Sequence, residues 1–181
     1  MKASPIARLT LATDPEYARF AEEQIVEYAQ QLTRAGEATI ENCLAVSRAH
    51  LQDLLTDRLR AAGHEILVAT SARDGSRVGW LWLSPPPDLL GAGHEHTRWL
   101  SQLTIDEALR GQGWGRAVLL AAERYLTSAG VTHVWLRVFD WNIVARRLYM
   151  SSGYELAHQF STDAHLRKAL LHDGRPTTVC G

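Results

Sequence analysis

Cysteine is scarce in this chain: it has two, Cys43 and Cys180. Two thiols cannot build a multi-bridge disulfide framework, and alone they cannot make a four-thiolate zinc site. An excess of one charge sign is also missing, since Lys and Arg number 19 against 20 Asp and Glu, for a formal net charge of −1. A general nucleic-acid binder carries a basic excess to meet the phosphates, so no nucleic-acid partner is expected. No apolar run reaches the roughly 18 residues of a membrane-spanning helix, and residues 1–10 lack the apolar core of a signal peptide. No membrane partner and a cytoplasmic location are therefore expected. Internal repeats and low-complexity tracts are absent as well. What is present is ordinary for a globular protein: 181 residues, 46% hydrophobic and 22% charged, enough for one domain and too few for two full-sized ones.

The residue pattern predicts a mixed α+β domain. Residues 6–11 read as a short first strand. Thr13 or Asp14 can cap a helix, with Pro15 in its first turn. Phe20, Ile25, Tyr28 and Leu32 recur at helical spacing over 16–34, interleaved with Glu22, Glu23 and Glu27. Such an acidic run is ordinarily a wet helix face; the alternative is attraction of a cationic acceptor through Glu37 or Glu41 at the helix junction. A second helix is predicted over 40–62, closed by Gly63. The period then shortens. Strands are expected at 65–70 and 78–83, joined by a turn at Asp74-Gly75, with the second strand stopped by Pro85-Pro86-Pro87. Trp80 and Trp82 share one face, either as core or as an acceptor-site wall, core being favoured. A loop over 85–97, a strand over 99–105, a glycine-bearing turn over 106–115 and a helix over 116–128 follow. In the strand 133–139, Val134, Leu136 and Val138 face one way, and Trp135, Arg137 and Phe139 the other. A short helix over 142–151, strands at 154–160 and 165–170, and a loose tail over 172–181 complete the reading.

The turn from Arg110 to Arg116 carries the chemistry. Gly111, Gly113 and Gly115 lie between a strand and a helix, where glycine permits positive φ and close approach of a ligand. Free amides at the helix start favour an anion, and Arg110 and Arg116 bracket the turn, so a pyrophosphate is the natural guest. The P-loop pattern fails, because Gly115-Arg116-Ala117 lacks the lysine and the hydroxyl. The dinucleotide fingerprint fails on spacing, since Val118 stands where the third glycine belongs. Further on, Asn142, Ala145 and Tyr149 fall at i, i+3 and i+7 and so share one helix face. His94-x-His96 supplies only two ligands in a loop, and no metal is expected.

These two motifs together resemble the GCN5-related N-acetyltransferase (GNAT) superfamily. Its Arg/Gln-x-x-Gly-x-Gly/Ala pattern matches Arg110, Gly113 and Gly115. Its Asn-x-x-Ala-x-x-x-Tyr element, followed by Gly-Phe/Tyr, matches Asn142, Ala145, Tyr149 and Gly153-Tyr154. The resemblance is strongest over 65–170. It implies a mixed, mostly antiparallel central sheet flanked by helices, with two N-terminal helices. One N-acetyltransferase domain over 1–171 is implied, comprising acceptor-side helices over 15–62 and an acetyl-CoA-binding core over 65–170.

The resemblance also implies site roles. Main-chain amides of Arg110, Gly111, Gln112, Gly113, Trp114, Gly115 and Arg116 would bind the pyrophosphate of acetyl-CoA. Leu103, Thr104 and Ile105 would pair with the pantetheine arm and polarise the thioester carbonyl. Asn142 and Ala145 would lie beside that arm. Tyr149, near the sulfur, would be the general acid. Many members carry a carboxylate base on the strand before the turn; here Gln102 and Thr104 occupy those positions, leaving a water chain or His94, Glu95 and His96 as alternatives. The expected reaction is acetyl transfer from acetyl-CoA to a primary amine, on a small molecule or peptide, in a ternary complex. A non-catalytic coenzyme A-binding module, or a transferase acting on a protein N-terminus or an aminoacyl-tRNA, remains as an alternative. Dimers are common among similar proteins, so a homodimer is compatible with the reading.

Overall fold

The computed structural model describes residues 4–34, 39–55, 63–87 and 96–170. Seven strands form one sheet: β1 (Ala7–Leu11), β2 (Glu65–Ser71), β3 (Arg77–Ser84), β4 (Thr97–Ile105), β5 (His133–Phe139), β6 (Glu155–Gln159) and β7 (Asp163–Ala169). Their order is β1-β2-β3-β4-β5-β7-β6. Only β4 and β5 run parallel; every other neighbouring pair is antiparallel. Four helices accompany the sheet among the described residues: α1 (Asp14–Arg34), α2 (Ile40–Leu55), α3 (Trp114–Ser128) and α4 (Ile143–Met150). The mixed, mostly antiparallel architecture matches the expectation. The part of the second predicted helix beyond residue 55 lies outside the described residues.

The α1 start is capped from within its first turn: the amide and hydroxyl of Thr13 both donate to the Glu16 carboxylate, at 2.9 and 2.7 Å. One face of α1 then buries Phe20 against Ile66, Val68 and Trp80. The Phe20 ring meets Trp80 and Trp82 edge-on, with centroids 5.7 and 6.1 Å apart, a favourable aromatic geometry. Helix α2 packs on α1, through Cys43 and Leu44 against Ala29 and Leu32. On the other side of the sheet, α3 places Leu119, Ala122 and Leu126 in a core with Leu67, Leu81, Val134, Leu136 and Val138. The alternation predicted along β5 therefore holds. Because β2 is covered on both faces, it reads as an unbroken apolar run rather than an alternating one.

Two features prepare the site. First, β4 pairs with β5 only from Thr97 to Leu100, opposite His133 to Leu136. Beyond Leu100 the two parallel strands have no registered partners, and the sheet opens between them. Second, Gly79 on β3 lies beneath the Thr104 carbonyl of β4; a Cβ at this position would collide with that backbone oxygen. The missing side chain lets β4 approach β3 where β4 borders the opening.

Several boundaries differ from the sequence reading. Strand β4 starts at Thr97, α3 at Trp114 and β7 at Asp163. Asn142 is not inside α4 but is its cap, the side-chain oxygen accepting from the Ala145 amide at 3.2 Å. A polar side chain able to bond the second or third free amide competes for this position with continued helix.

Candidate active site

The opening exposes the main chain of β4. Asp106 donates its amide to Val78 on β3 at 3.0 Å. Main-chain direction alternates along a strand, so Thr104 and Gln102 turn their amides towards β3 as well. Leu103 and Ile105 turn theirs towards the opening. The Ile105 carbonyl is occupied by Arg110 Nε at 3.0 Å. Leu103 is thus left presenting main-chain groups beside the gap.

The glycine turn follows β4 directly. Gly111 has φ +74° and Gly113 φ +87°, the latter capping α3 without any side-chain cap bond. Both values lie in the region open to glycine and strained for other residues. The first bond at the start of α3 runs from the Ala117 amide to the Gly113 carbonyl, at 3.2 Å. The amides of Trp114, Gly115 and Arg116 therefore have no partner inside the helix, and they sit at its positive end. Gly115 also lets α4 come close, since a Cβ there would stand 3.2 Å from Leu148 Cδ2.

Side chains of the turn are largely engaged elsewhere. Gln112 Nε2 donates to the Ala108 carbonyl at 2.9 Å. Arg116 ties the turn to the end of α4, donating to Ser151 Oγ at 2.6 Å and to the Ser151 carbonyl at 3.3 Å. Trp114 packs in a small core with Val78, Val118 and Leu109. A cleft of about 830 Å³ is lined by Arg110, Gly111, Gly113, Gly115 and Arg116 of the turn, but not by Gln112 or Trp114. Nor is it lined by Arg146 or Arg147; Arg146 pairs instead with Asp140 at 2.9 Å. What the turn offers a ligand is chiefly backbone N–H groups.

Helix α4 closes the far side of the cleft with Asn142, Ala145, Leu148 and Tyr149. Tyr149 is buried, its ring centroid 5.6 Å from that of Tyr154. Burial pushes its phenol above the ordinary value, so it stays protonated at neutral pH.

A second, smaller cavity of about 290 Å³ adjoins the cleft, with Glu27, Leu103, Asn142, Ala145 and Tyr149 lining both. Its other walls include Gln24 and Tyr28 of α1, Trp82 and Trp99 of the sheet, and Arg137 and Phe139 of β5. The tryptophan pair divides its duties. Trp80 is fully buried and donates from Nε1 to Glu23, whereas half-buried Trp82 both packs on Phe20 and lines this cavity.

The acidic residues of α1 also divide. Glu22 is exposed, as a wet face requires. Glu23 is not solvated alone: it accepts from Arg19, Arg77 and Trp80, at 2.8, 3.2 and 2.6 Å. Partial burial pulls its carboxyl upward, but bonds from Arg19 and Trp80 and the Arg77 charge bring it below the usual value. Glu27 accepts from Thr104 Oγ1 at 3.0 Å, and Thr104 in turn accepts from Gln102 Nε2 at 3.2 Å. Of these two β4 side chains, Thr104 therefore holds a carboxylate supplied by α1, and Gln102 holds Thr104. Sequence reasoning missed this arrangement, and it missed Gln24; the helical spacing of Gln24, Glu27 and Tyr28 was the available signal. His94 and Glu95 lie outside the described residues, and His96 is exposed. Among the described residues, no three His, Cys, Asp or Glu side chains converge as a metal site, and no helix is long and apolar enough to cross a membrane.

The acetyltransferase (GNAT) family model matches residues 37–154. An uncharacterized N-acetyltransferase of Bacillus subtilis, YycN, is 26% identical over 162 residues, covering 90% of this chain and 97% of that protein. The crystal structure of YycN superposes with a TM-score of 0.77 at 24% identity, over 86% of this chain and 96% of that one. The PaiA N-acetyltransferase of Thermoplasma acidophilum, solved with coenzyme A, shares the fold at a TM-score of 0.66 and 16% identity, covering 90% and 98% of the two chains. The spermidine N-acetyltransferase of Vibrio cholerae, solved with CoA and spermine, does so at 0.64 and 14%, covering 91% and 95%.

Proposed function

The chain belongs to the acetyltransferase (GNAT) family, and on that premise we propose that it moves an acetyl group from acetyl-CoA to a primary amine by direct attack within a ternary complex. One observation carries the reading. The large cleft, bordered by the helix amides, and the smaller cavity, walled by α1 and the aromatics, meet at Leu103, Asn142, Ala145 and Tyr149. Two substrates entering from opposite sides would bring their reacting ends together there, where proximity can replace a bimolecular encounter.

The residues present fit acetyl-CoA. The amides of Trp114, Gly115 and Arg116, with the helix dipole behind them, suit a pyrophosphate. Coenzyme A in the PaiA crystal structure, on the same fold, supports this assignment. Acetyl-CoA supplies an acyl group activated as a thioester. Leu103 offers its amide to the carbonyl oxygen, on which negative charge grows in the transition state. Asn142 and Ala145 border the cleft where the arm would pass.

Tyr149 is the donor to the departing sulfur. A phenol that burial keeps neutral always has its proton to offer. The same burial makes it a weak acid, and a thiol has an ordinary pKa of about 8.5. Its main effect is therefore a hydrogen bond to the sulfur as charge develops, rather than a completed transfer.

The test is free-thiol release from acetyl-CoA with a panel of primary amines. Thiol release matched by N-acetylated amine is the expected result. Tight acetyl-CoA binding without turnover of any amine would instead establish the coenzyme A-binding module. A carboxylate at the meeting of the two cavities, Glu27 beside Thr104, favours the transferase over that module.

A further inference from the structure

Helix α1 brings two groups of complementary character to the smaller cavity. Glu27 is a carboxylate held by Thr104, itself held by Gln102, at the junction with the large cleft. Gln24, one helical turn earlier, lines the same cavity. It is only 3% exposed, and its Nε2 has no hydrogen-bond partner among the described residues. A buried amide donor without an acceptor is costly, and since Gln24 borders the cavity, an oxygen entering there is the acceptor open to it. Arg137, across the cavity, gives Nη2 to Asp163 at 2.7 Å and has further N–H groups to offer. Trp82, Trp99 and Phe139 add apolar wall. The volume, about 290 Å³, lies at the small end for ligand pockets.

From this juxtaposition we propose that the cavity binds an α-amino carbonyl group, meaning an amine with a carbonyl or carboxylate oxygen on the neighbouring carbon and an apolar side chain. Glu27 receives the ammonium and Gln24 the oxygen. Residues three apart on a helix stand about 5–6 Å from each other, so the amine and oxygen they hold must lie within a few bonds. An amine lacking that oxygen leaves Gln24 unpaired, and a polyamine would place a second cation against Arg137. The proposal rests on the transferase reading above.

Glu27 also completes the proton balance. The ammonium gives one proton to the Glu27 carboxylate. The freed nitrogen attacks the thioester carbon, the C–N bond forms and the C–S bond breaks. The second proton leaves the nitrogen and ends on the sulfur, and Glu27 returns its own proton to solvent. The products are an amide and a thiol, with one proton released.

Thiol release is measured with leucinamide, leucine, a leucyl dipeptide, 3-methylbutylamine and spermidine. Leucinamide and 3-methylbutylamine differ only in the carboxamide. We expect kcat/KM for leucinamide to exceed that for 3-methylbutylamine and spermidine by about tenfold or more, the scale on which a buried polar group left unpaired discriminates. Comparison of leucine, its amide and the dipeptide tells whether the oxygen is that of a free acid or of a chain terminus. In Gln24→Leu the preference should collapse, with the leucinamide KM rising towards that of the plain amine. In Glu27→Gln kcat should fall and the rising limb of its pH profile should change. Acetyl-CoA affinity by calorimetry confirms that each variant is folded. Equal or faster turnover of 3-methylbutylamine or spermidine by the unmodified enzyme overturns the acceptor assignment and leaves the transferase reading intact. A preference surviving in Gln24→Leu also overturns it. Failure to acetylate any amine despite acetyl-CoA binding overturns the transferase reading itself.

Discussion

At the scale of single residues, the proposed chemistry depends on a few atoms that packing holds in place. In the proposed reaction Tyr149 would give one hydrogen bond to a developing thiolate, and bonds to charged groups are worth about 1.5–3 kcal/mol. Tyr149→Phe should therefore lower kcat roughly ten- to a hundredfold, with acetyl-CoA affinity in calorimetry nearly unchanged. Undiminished turnover would remove Tyr149 from the reaction. Gly113 carries φ +87°, and a Cβ there would make only ordinary contact with the Pro5 ring, at 3.5 Å. The penalty in Gly113→Val is thus one of backbone conformation, falling on the residue that aims the first amides of α3. That variant should lose measurable acetyl-CoA binding while keeping its far-ultraviolet circular dichroism; retained affinity would contradict the pyrophosphate assignment. Gly113 was legible from residue type and spacing, because it serves the helix that follows it, and Tyr149 from the family resemblance. Glu27 was not. Its partner Thr104 is 77 residues distant, and only the packing of α1 over β4 joins them. Helical spacing puts it on the face of Gln24 and Tyr28, but does not say which strand that face meets.

Among the elements, α1 and α4 do the positioning. Helix α4 begins at the Asn142 cap, worth about 1 kcal/mol. Asn142→Ala should lower the melting temperature by about 2–4 °C, while Asn142→Ser, which keeps a capping oxygen, should lower it less. A differential-scanning melt separates the two. Trp82, on β3, is oriented partly by its indole N–H donating to His64 Nδ1 at 3.1 Å. Burial lowers the affinity of His64 for a proton, and the bond requires Nδ1 to be bare. Because the folded pKa lies below the unfolded value of about 6.5, the unfolded chain binds more protons as the pH falls through that region. The stabilisation is therefore complete above about pH 6.5 and declines towards the folded pKa. The melting temperature should drop between pH 7 and 5.5, and His64→Gln should flatten that dependence; an unchanged slope in the variant would show that another group controls it. The sequence pattern placed the seven strands and four α-helices of the described residues to within a few positions, since period and turn chemistry are local, but read the 3-10 turn Glu107–Leu109 only as part of the glycine-bearing turn. It could not find the divergence of β4 from β5 after Leu100. Nothing in either strand alone records where pairing stops, which depends on what packs between them.

For the molecule as a whole, the central claim is a meeting of two cavities. The balanced charge conceals a division of labour. The sheet opening and the start of α3 present main-chain donors to an anion, while α1 presents a carboxylate to a cation. Under the proposed reading, a cofactor site and an acceptor site sharing Leu103 and Tyr149 would hold both substrates together, with no acetyl group resting on the protein between steps. The most direct test varies acetyl-CoA and leucinamide together and follows initial rates of thiol release. Double-reciprocal plots should give intersecting lines, with one N-acetylated amine formed per thiol. Parallel lines, the mark of a covalent acetyl-enzyme and a ping-pong order, would contradict the account.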